Sequence, residues 1–352
     1  MLYVLIGLVI TLPIATRGFY TKKNLPGVAF CLAIAIPIWL LDQWLNISGG
    51  AMFGIIIGML LANFWRPAAV LKPGIQETSK RMLQSAVLLL GFGMDFGEAL
   101  RLGSQTLALI VSVVVCVLLA AFLIGKWLKV PTDENILIGV GSAICGGSAI
   151  AAAAPVIKAP EKAVAGAIST IFLFNIVAVF LFPVIGNLTG MSEHFFGIWA
   201  GAAINDTSSV LAAADFYGGE AVEVAAVVKL TRALFIIPVV FGLAVIQSKK
   251  ETGERSGFKL GKALPWFVVG FVAASVLNTA NVAFGEIISL EITAFWGSVM
   301  SRFLIVMAMV GIGLSTNFKE LIRHGKKPII LGFCCSVTVA VTAIVFMRVF
   351  GI

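Results

Sequence analysis

Apolar runs separated by short polar segments recur along the whole chain, and about twelve approach the roughly 17 to 25 residues that carry an α-helix across a bilayer. They cover approximately residues 1–16, 27–45, 48–64, 82–97, 105–125, 136–157, 163–187, 194–216, 219–246, 264–283, 293–315 and 328–349. The pattern predicts an all-α polytopic membrane protein. No basic region or small-residue cleavage site marks Met1 to Ile14, so the first run is expected to stay as a membrane segment.

Two of the runs contain copies of one stretch. Gly141-Ser-Ala-Ile-Cys-Gly-Gly-Ser-Ala-Ile-Ala-Ala-Ala-Ala-Pro155 aligns without gaps on Gly201-Ala-Ala-Ile-Asn-Asp-Thr-Ser-Ser-Val-Leu-Ala-Ala-Ala-Asp215. Each copy has an apolar lead-in, a small or polar centre and an alanine-rich helix former. In a membrane this is the pattern of a discontinuous helix, whose second half turns free N–H groups and a positive dipole end toward the gap. A weaker repeat links Leu90-Gly-Phe-Gly-Met-Asp-Phe-Gly-Glu-Ala-Leu100 with Val310-Gly-Ile-Gly-Leu-Ser-Thr-Asn-Phe-Lys-Glu-Leu321. These copies lie an odd number of spans apart, which implies an inverted repeat, the architecture of many secondary transporters. The first pair lies two spans apart. Either one of its segments is re-entrant, or the likeness reflects a shared local need.

The loops orient the spans. If the segments alternate, one side collects most of the Lys and Arg residues, from Arg17 through Lys249 and Lys250 to Lys327, while the other collects Arg101, Lys158, Lys162 and Arg348. The positive-inside rule places the rich side in the cytoplasm and both termini outside. Four regions follow: 1–81, N-terminal membrane segments, which the family resemblance given below makes panel-like; 82–246, a core with broken helices near 141–155 and 201–215; 247–265, a charged cytoplasmic loop; and 266–352, the C-terminal segments of the second repeat.

Composition agrees with the membrane reading: 60% of the residues are hydrophobic and 12% charged, with mean hydropathy +1.05. No soluble fold of this length hides so much apolar surface. The net charge of +8 is spread over short loops rather than gathered in one patch, so nucleic acid is not an expected partner. Cys31, Cys116, Cys145, Cys334 and Cys335 all fall in apolar runs, which argues against a disulfide framework or a metal site. No phosphate-binding glycine loop, metal-ligating His/Glu set or serine with a base appears, so neither an enzyme nor a cofactor is expected.

Charges at membrane depth are costly and therefore informative. Lys229 and Arg232 share one helix face, Arg302 lies in the eleventh run, and Asp206 and Asp95 are the deep acids. A surplus of buried positive charge beside two helix starts suits an anion. The candidate substrate-binding residues are Cys145, Gly146, Gly147, Ser148, Asn205, Thr207, Ser208, Ser209, Lys229, Arg232 and Arg302, with Asp206 as a coupling residue. Arg302→Gln or Arg232→Gln is then expected to abolish binding and spare the fold. Plainer readings stand beside these: Gly146 and Gly147 as helix-packing residues, Asp206 as the structural partner of Lys229 or Arg232, Asp95 as a solvated cap. A channel or a cation antiporter remains an alternative.

Ile144-Cys-Gly-Gly-Ser-Ala-Ile-Ala-Ala-Ala-Ala-Pro155, Ala203-Ile-Asn-Asp-Thr-Ser-Ser-Val-Leu-Ala-Ala-Ala214 and Val228-Lys-Leu-Thr-Arg232 together resemble the YeiH-like sulfate exporter family of bacterial inner membranes, over nearly the whole chain. More distantly, Gly91-Phe-Gly-Met-Asp-Phe96 followed by a span and the Cys-Gly-Gly-Ser break is similar to the bile-acid-symporter and cation/proton-antiporter group. The resemblance implies crossing broken helices, a panel domain that moves as an elevator, and export of sulfate or a related sulfur oxyanion or organosulfonate. The partners it admits are that anion, a coupled proton or sodium ion, the lipid bilayer and a second copy in a homodimer.

Overall fold

The computed structural model describes residues 23–45, 50–65, 68–250, 266–284, 288–316 and 325–352. The expected first span, most of the charged loop and the end of the second repeat (317–321) lie outside them. Among the described residues all regular structure is helical. The helices are α1 (Leu25–Leu45), α2 (Gly50–Phe64), α3 (Lys72–Leu90), α4 (Phe96–Leu128), α5 (Thr132–Ala143), α6 (Gly147–Val156), α7 (Glu161–Leu188) and α8 (Glu193–Ala203). They continue as α9 (Thr207–Tyr217), α10 (Gly219–Ala233), α11 (Ile236–Lys250), α12 (Trp266–Ala283), α13 (Leu290–Ala294), α14 (Ser301–Ser315) and α15 (Lys326–Phe350). A π-helical turn, Phe295–Met300, joins α13 to α14.

The outer faces of the long helices require lipid. On α4, Leu107, Val111, Val115, Leu119 and Phe122 point outward while Leu109, Ile110, Val113, Val114 and Val117 are buried; α15 repeats the pattern with Phe333, Val337, Val341 and Val345 outward. Stripes of large apolar side chains at helical spacing have no place against water. Six helical stretches among the described residues are long and apolar enough to cross a membrane: Leu25–Trp44, Phe96–Leu128, Glu161–Leu188, Gly219–Gln247, Leu290–Ser315 and Lys326–Phe350.

The difference from about twelve expected spans has local causes. The runs 136–157 and 194–216 are each split into two short helices. α3 starts ten residues before its expected span, with Lys72, Glu77, Lys80 and Arg81 on its early turns, and ends at Leu90 where Gly91–Gly93 form one 3-10 turn. Asp95 then caps α4, its Oδ1 accepting from the Glu98 N–H at 3.0 Å and its Oδ2 from the Thr279 hydroxyl at 2.9 Å.

The chain gathers into two compact units. The first takes the described residues within Met1–Arg101, Leu211–Glu223 and Trp266–Phe318. Its centre is α14, packed along α2 and α3. The contact is possible because Gly50, Gly54 and Gly58 recur every fourth residue on α2: a Cβ at Gly58 would stand 2.6 Å from the Val310 carbonyl oxygen and 2.9 Å from the Leu314 nitrogen. Small residues at this spacing let membrane helices approach to backbone contact.

The second unit holds Leu102–Val210, Val224–Pro265 and Lys319–Ile352. Here α5 packs on α7 and α15, and α8 on α15. Trp199, 1% exposed, stacks on Phe182 at 4.3 Å and donates its indole N–H to the Ala340 carbonyl at 3.0 Å. It therefore serves the core, whereas Trp44, Trp65 and Trp127 are exposed near helix ends, where interfacial anchors belong.

Candidate functional site

The first copy of the long repeat leaves the helix at Ile144, Cys145 and Gly146, and the second at Ile204, Asn205 and Asp206. The reason is local. Gly146 adopts φ +65°, ψ −125°, a conformation that residues with a Cβ rarely reach, and Asp206 ends one helix by capping the next. Its Oδ2 accepts from the Ser208 N–H at 3.0 Å and from the Ser208 hydroxyl, and further backbone N–H groups reach it from Thr207 and Ser209.

A helix that stops in a buried setting strands the carbonyls of its last turn. On α5 the Gly141 carbonyl is met by the Gly146 N–H at 2.9 Å. The next three are met from α10. Arg232 donates through Nη2 to the Ser142 carbonyl and through Nε to that of Ala143 at 2.9 Å, while Lys229 Nζ reaches the Ile144 carbonyl at 2.9 Å. The end of α8 shares the same two cations: the Ile204 carbonyl accepts from Lys229 Nζ at 2.9 Å and from Arg232 Nη1 at 3.1 Å. Arg232 Nη2 also lies 3.4 Å from Asn205 Oδ1. The Arg232 charge at two helix C-termini also complements the negative dipole ends. Lys229 and Arg232 are fully buried, and α8 nears α10 so closely that a Cβ at Gly201 would stand 2.8 Å from the Ala225 carbonyl oxygen.

The two helix starts differ. That of α9 is capped by Asp206, whereas that of α6 has no side-chain cap. Asn205, Ser208 and Ser209 are buried; Gly147, Asp206 and Thr207 are partly exposed and Ser148 is exposed, so the region has an open side. Cys145 is buried with its thiol in hydrogen-bond contact with Ser148.

Eleven of the twelve candidates thus fall in the second unit, around the two interruptions; Arg302 does not. It belongs to the first unit, where Asp215 and Glu223 are its electrostatic partners and its guanidinium lies against Gly219. Asp215 in turn accepts from the Ala51 N–H at 3.3 Å. Lys229 and Arg232 each donate to backbone carbonyls of both interruptions, so their geometry is that of a clamp on the two. Sequence reasoning missed Asp215, Glu223 and, in the second unit, Asn175. The only signal for the last was a lone amide in the apolar run Ile171-Phe-Leu-Phe-Asn175.

These features define an all-helical, multi-pass membrane protein. The profile of the family described as Conserved hypothetical protein 698 matches residues 26–332. The chain is 42% identical over 345 residues to the UPF0324 membrane protein of Fusobacterium nucleatum subsp. nucleatum, covering 94% of this chain and 99% of the relative. It is 43% identical over 336 residues to the UPF0324 membrane protein of Streptococcus pyogenes serotype M6, covering 94% and 98%, and 41% identical over 338 residues to that of Streptococcus mutans serotype c. The chain belongs to this family, the YeiH-like UPF0324 membrane proteins.

Proposed function

We propose that the chain is a secondary transporter that moves a small anion, sulfate or a related sulfur oxyanion or organosulfonate, outward across the bacterial inner membrane by alternating access. The observation that carries this reading is the charge of the region around the interruptions. Lys229 and Asp206 act on each other electrostatically without a salt-bridge contact; with one proton between them they sum to zero, whether both are charged or both neutral. Arg232 keeps its charge in either case. One positive charge remains, beside a helix start that no side chain caps, which is an arrangement for an anion.

In this reading Gly146, Gly147, Ser148 and Thr207 offer backbone and hydroxyl donors to the substrate, and Lys229 and Arg232 supply field while holding the backbone. Asp206 carries the coupled proton. The two interruptions are the breaks of discontinuous membrane-spanning helices, and the repeats around Gly91 and Gly311 belong to inverted halves. The basic loops face the cytoplasm.

The test is counterflow of labelled sulfate in proteoliposomes. Saturable counterflow without a steady conductance supports the transporter; steady current without counterflow identifies a channel, and stimulation by sodium with indifference to anions identifies a cation antiporter. Asp206→Asn separates coupling from architecture, because asparagine caps a helix about as well as aspartate. The variant is expected to keep its thermal midpoint and counterflow, while acceleration by a pH gradient falls to the level seen without one. A variant still driven by the gradient removes Asp206 from the coupling step.

A further inference from the structure

Asn175 lies near the middle of α7 with Phe174 and Ile176 beside it, and only 2% of it is exposed. Neither Oδ1 nor Nδ2 has a hydrogen-bond partner. Buried carboxamides are nearly always paired, because desolvating both ends without compensation is unfavourable. The side chain faces the first interruption. Its Nδ2 is 3.7 Å from the point where a Cβ on Gly146 would stand, and the Cβ of Asp206 is 3.7 Å from the same point. Gly146 directly precedes the uncapped start of α6. An unpaired amide and the Cβ of Asp206 thus lie, with Ile171 Cγ2 at 3.4 Å, around the residue from which α6 starts.

The chemistry of a carboxamide narrows what it can read. One end donates and the other accepts, and exchanging the two amide atoms leaves that statement unchanged. A sulfate dianion offers acceptors alone; it satisfies the NH2 end and the helix N–H groups but leaves Oδ1 unpaired. An anion with its own O–H or N–H satisfies both ends. We propose that Asn175 is a specificity residue that selects oxyanions bearing a hydrogen-bond donor, such as hydroxy- or aminosulfonates and hydrogen sulfite, over acceptor-only anions of equal charge. The proposal rests on the anion-transport reading above. Its basis in discrimination is that a site built to pair a hydroxyl penalises the analogue lacking it.

Isethionate and ethanesulfonate test it, since both carry one negative charge and differ by a terminal hydroxyl. In competition against labelled sulfate counterflow, the wild-type protein is expected to favour isethionate about tenfold, the factor that one well-made hydrogen bond confers. Asn175→Leu, close in size, and Asn175→Ser, which is smaller and polar, are each expected to bring the ratio near one; sulfate, which loses the NH2 donor, is expected to bind more weakly to both, and the ratio is read at a sulfate concentration raised to match. Saturable sulfate counterflow with a wild-type ratio near one overturns this inference alone, and needs no variant. So does a tenfold ratio that survives either substitution. Absence of sulfate counterflow in the wild type overturns the transport reading and this inference with it.

Discussion

Arg232→Leu is expected to lower the stability of the detergent-solubilised protein by about 3 to 5 kcal/mol, more than any substitution on a lipid-facing surface. Leucine matches the volume of the buried stem but provides no donor. The carbonyls of Ser142 and Ala143 then lose their partner, whereas that of Ile204 retains Lys229. Arg232→Lys is expected to fall between, since one ammonium cannot reproduce a fork that addresses both helix ends. Thermal unfolding followed by size-exclusion chromatography reads the loss. If Arg232 instead served chiefly as a substrate ligand, the leucine variant would elute and melt like the wild type and fail only in transport. The glutamine variant expected from sequence to spare the fold is subject to the same test.

The second large effect is steric. Gly58→Ala is expected to cost about 1 to 3 kcal/mol, and Gly58→Val more, because the added Cβ meets backbone that cannot rotate away. Its neighbours would be the Val310 carbonyl oxygen at 2.6 Å and the Leu314 nitrogen at 2.9 Å. Gly242 on α11 is the control: nothing lies within 4 Å of a Cβ there, so Gly242→Ala is expected to be neutral or slightly stabilising. Equal melting of the two alanine variants would refute the close approach of α2 to α14.

Much of this molecule was legible in the chain because the cues are local. Long apolar runs gave the helical membrane class, and clusters such as Cys145-Gly-Gly-Ser148 and Asn205-Asp-Thr-Ser208 marked the points where the helices stop, since glycine and capping residues act within a few positions. Lys229 and Arg232 stood out as deep charges, but their acceptors did not, because those carbonyls lie 25 to 90 residues away. Distance in sequence also hid the neighbours of Arg302, since Asp215 and Glu223 approach it only after folding. Asn175 escaped notice because a single amide does not alter the hydropathy of its run.

The Nζ of Lys229 sits on carbonyls from both interruptions at once. That geometry has a consequence for biogenesis. A nascent chain that has been made only as far as Tyr217 already contains both halves of the repeat, yet it lacks the cations that quench their exposed ends. Such an intermediate must bury bare peptide oxygens or keep those turns near water. Packing of the two interrupted segments is thus provisional until the following helix arrives, and a ribosome stalled before residue 229 should yield a product that quality-control proteases clear quickly.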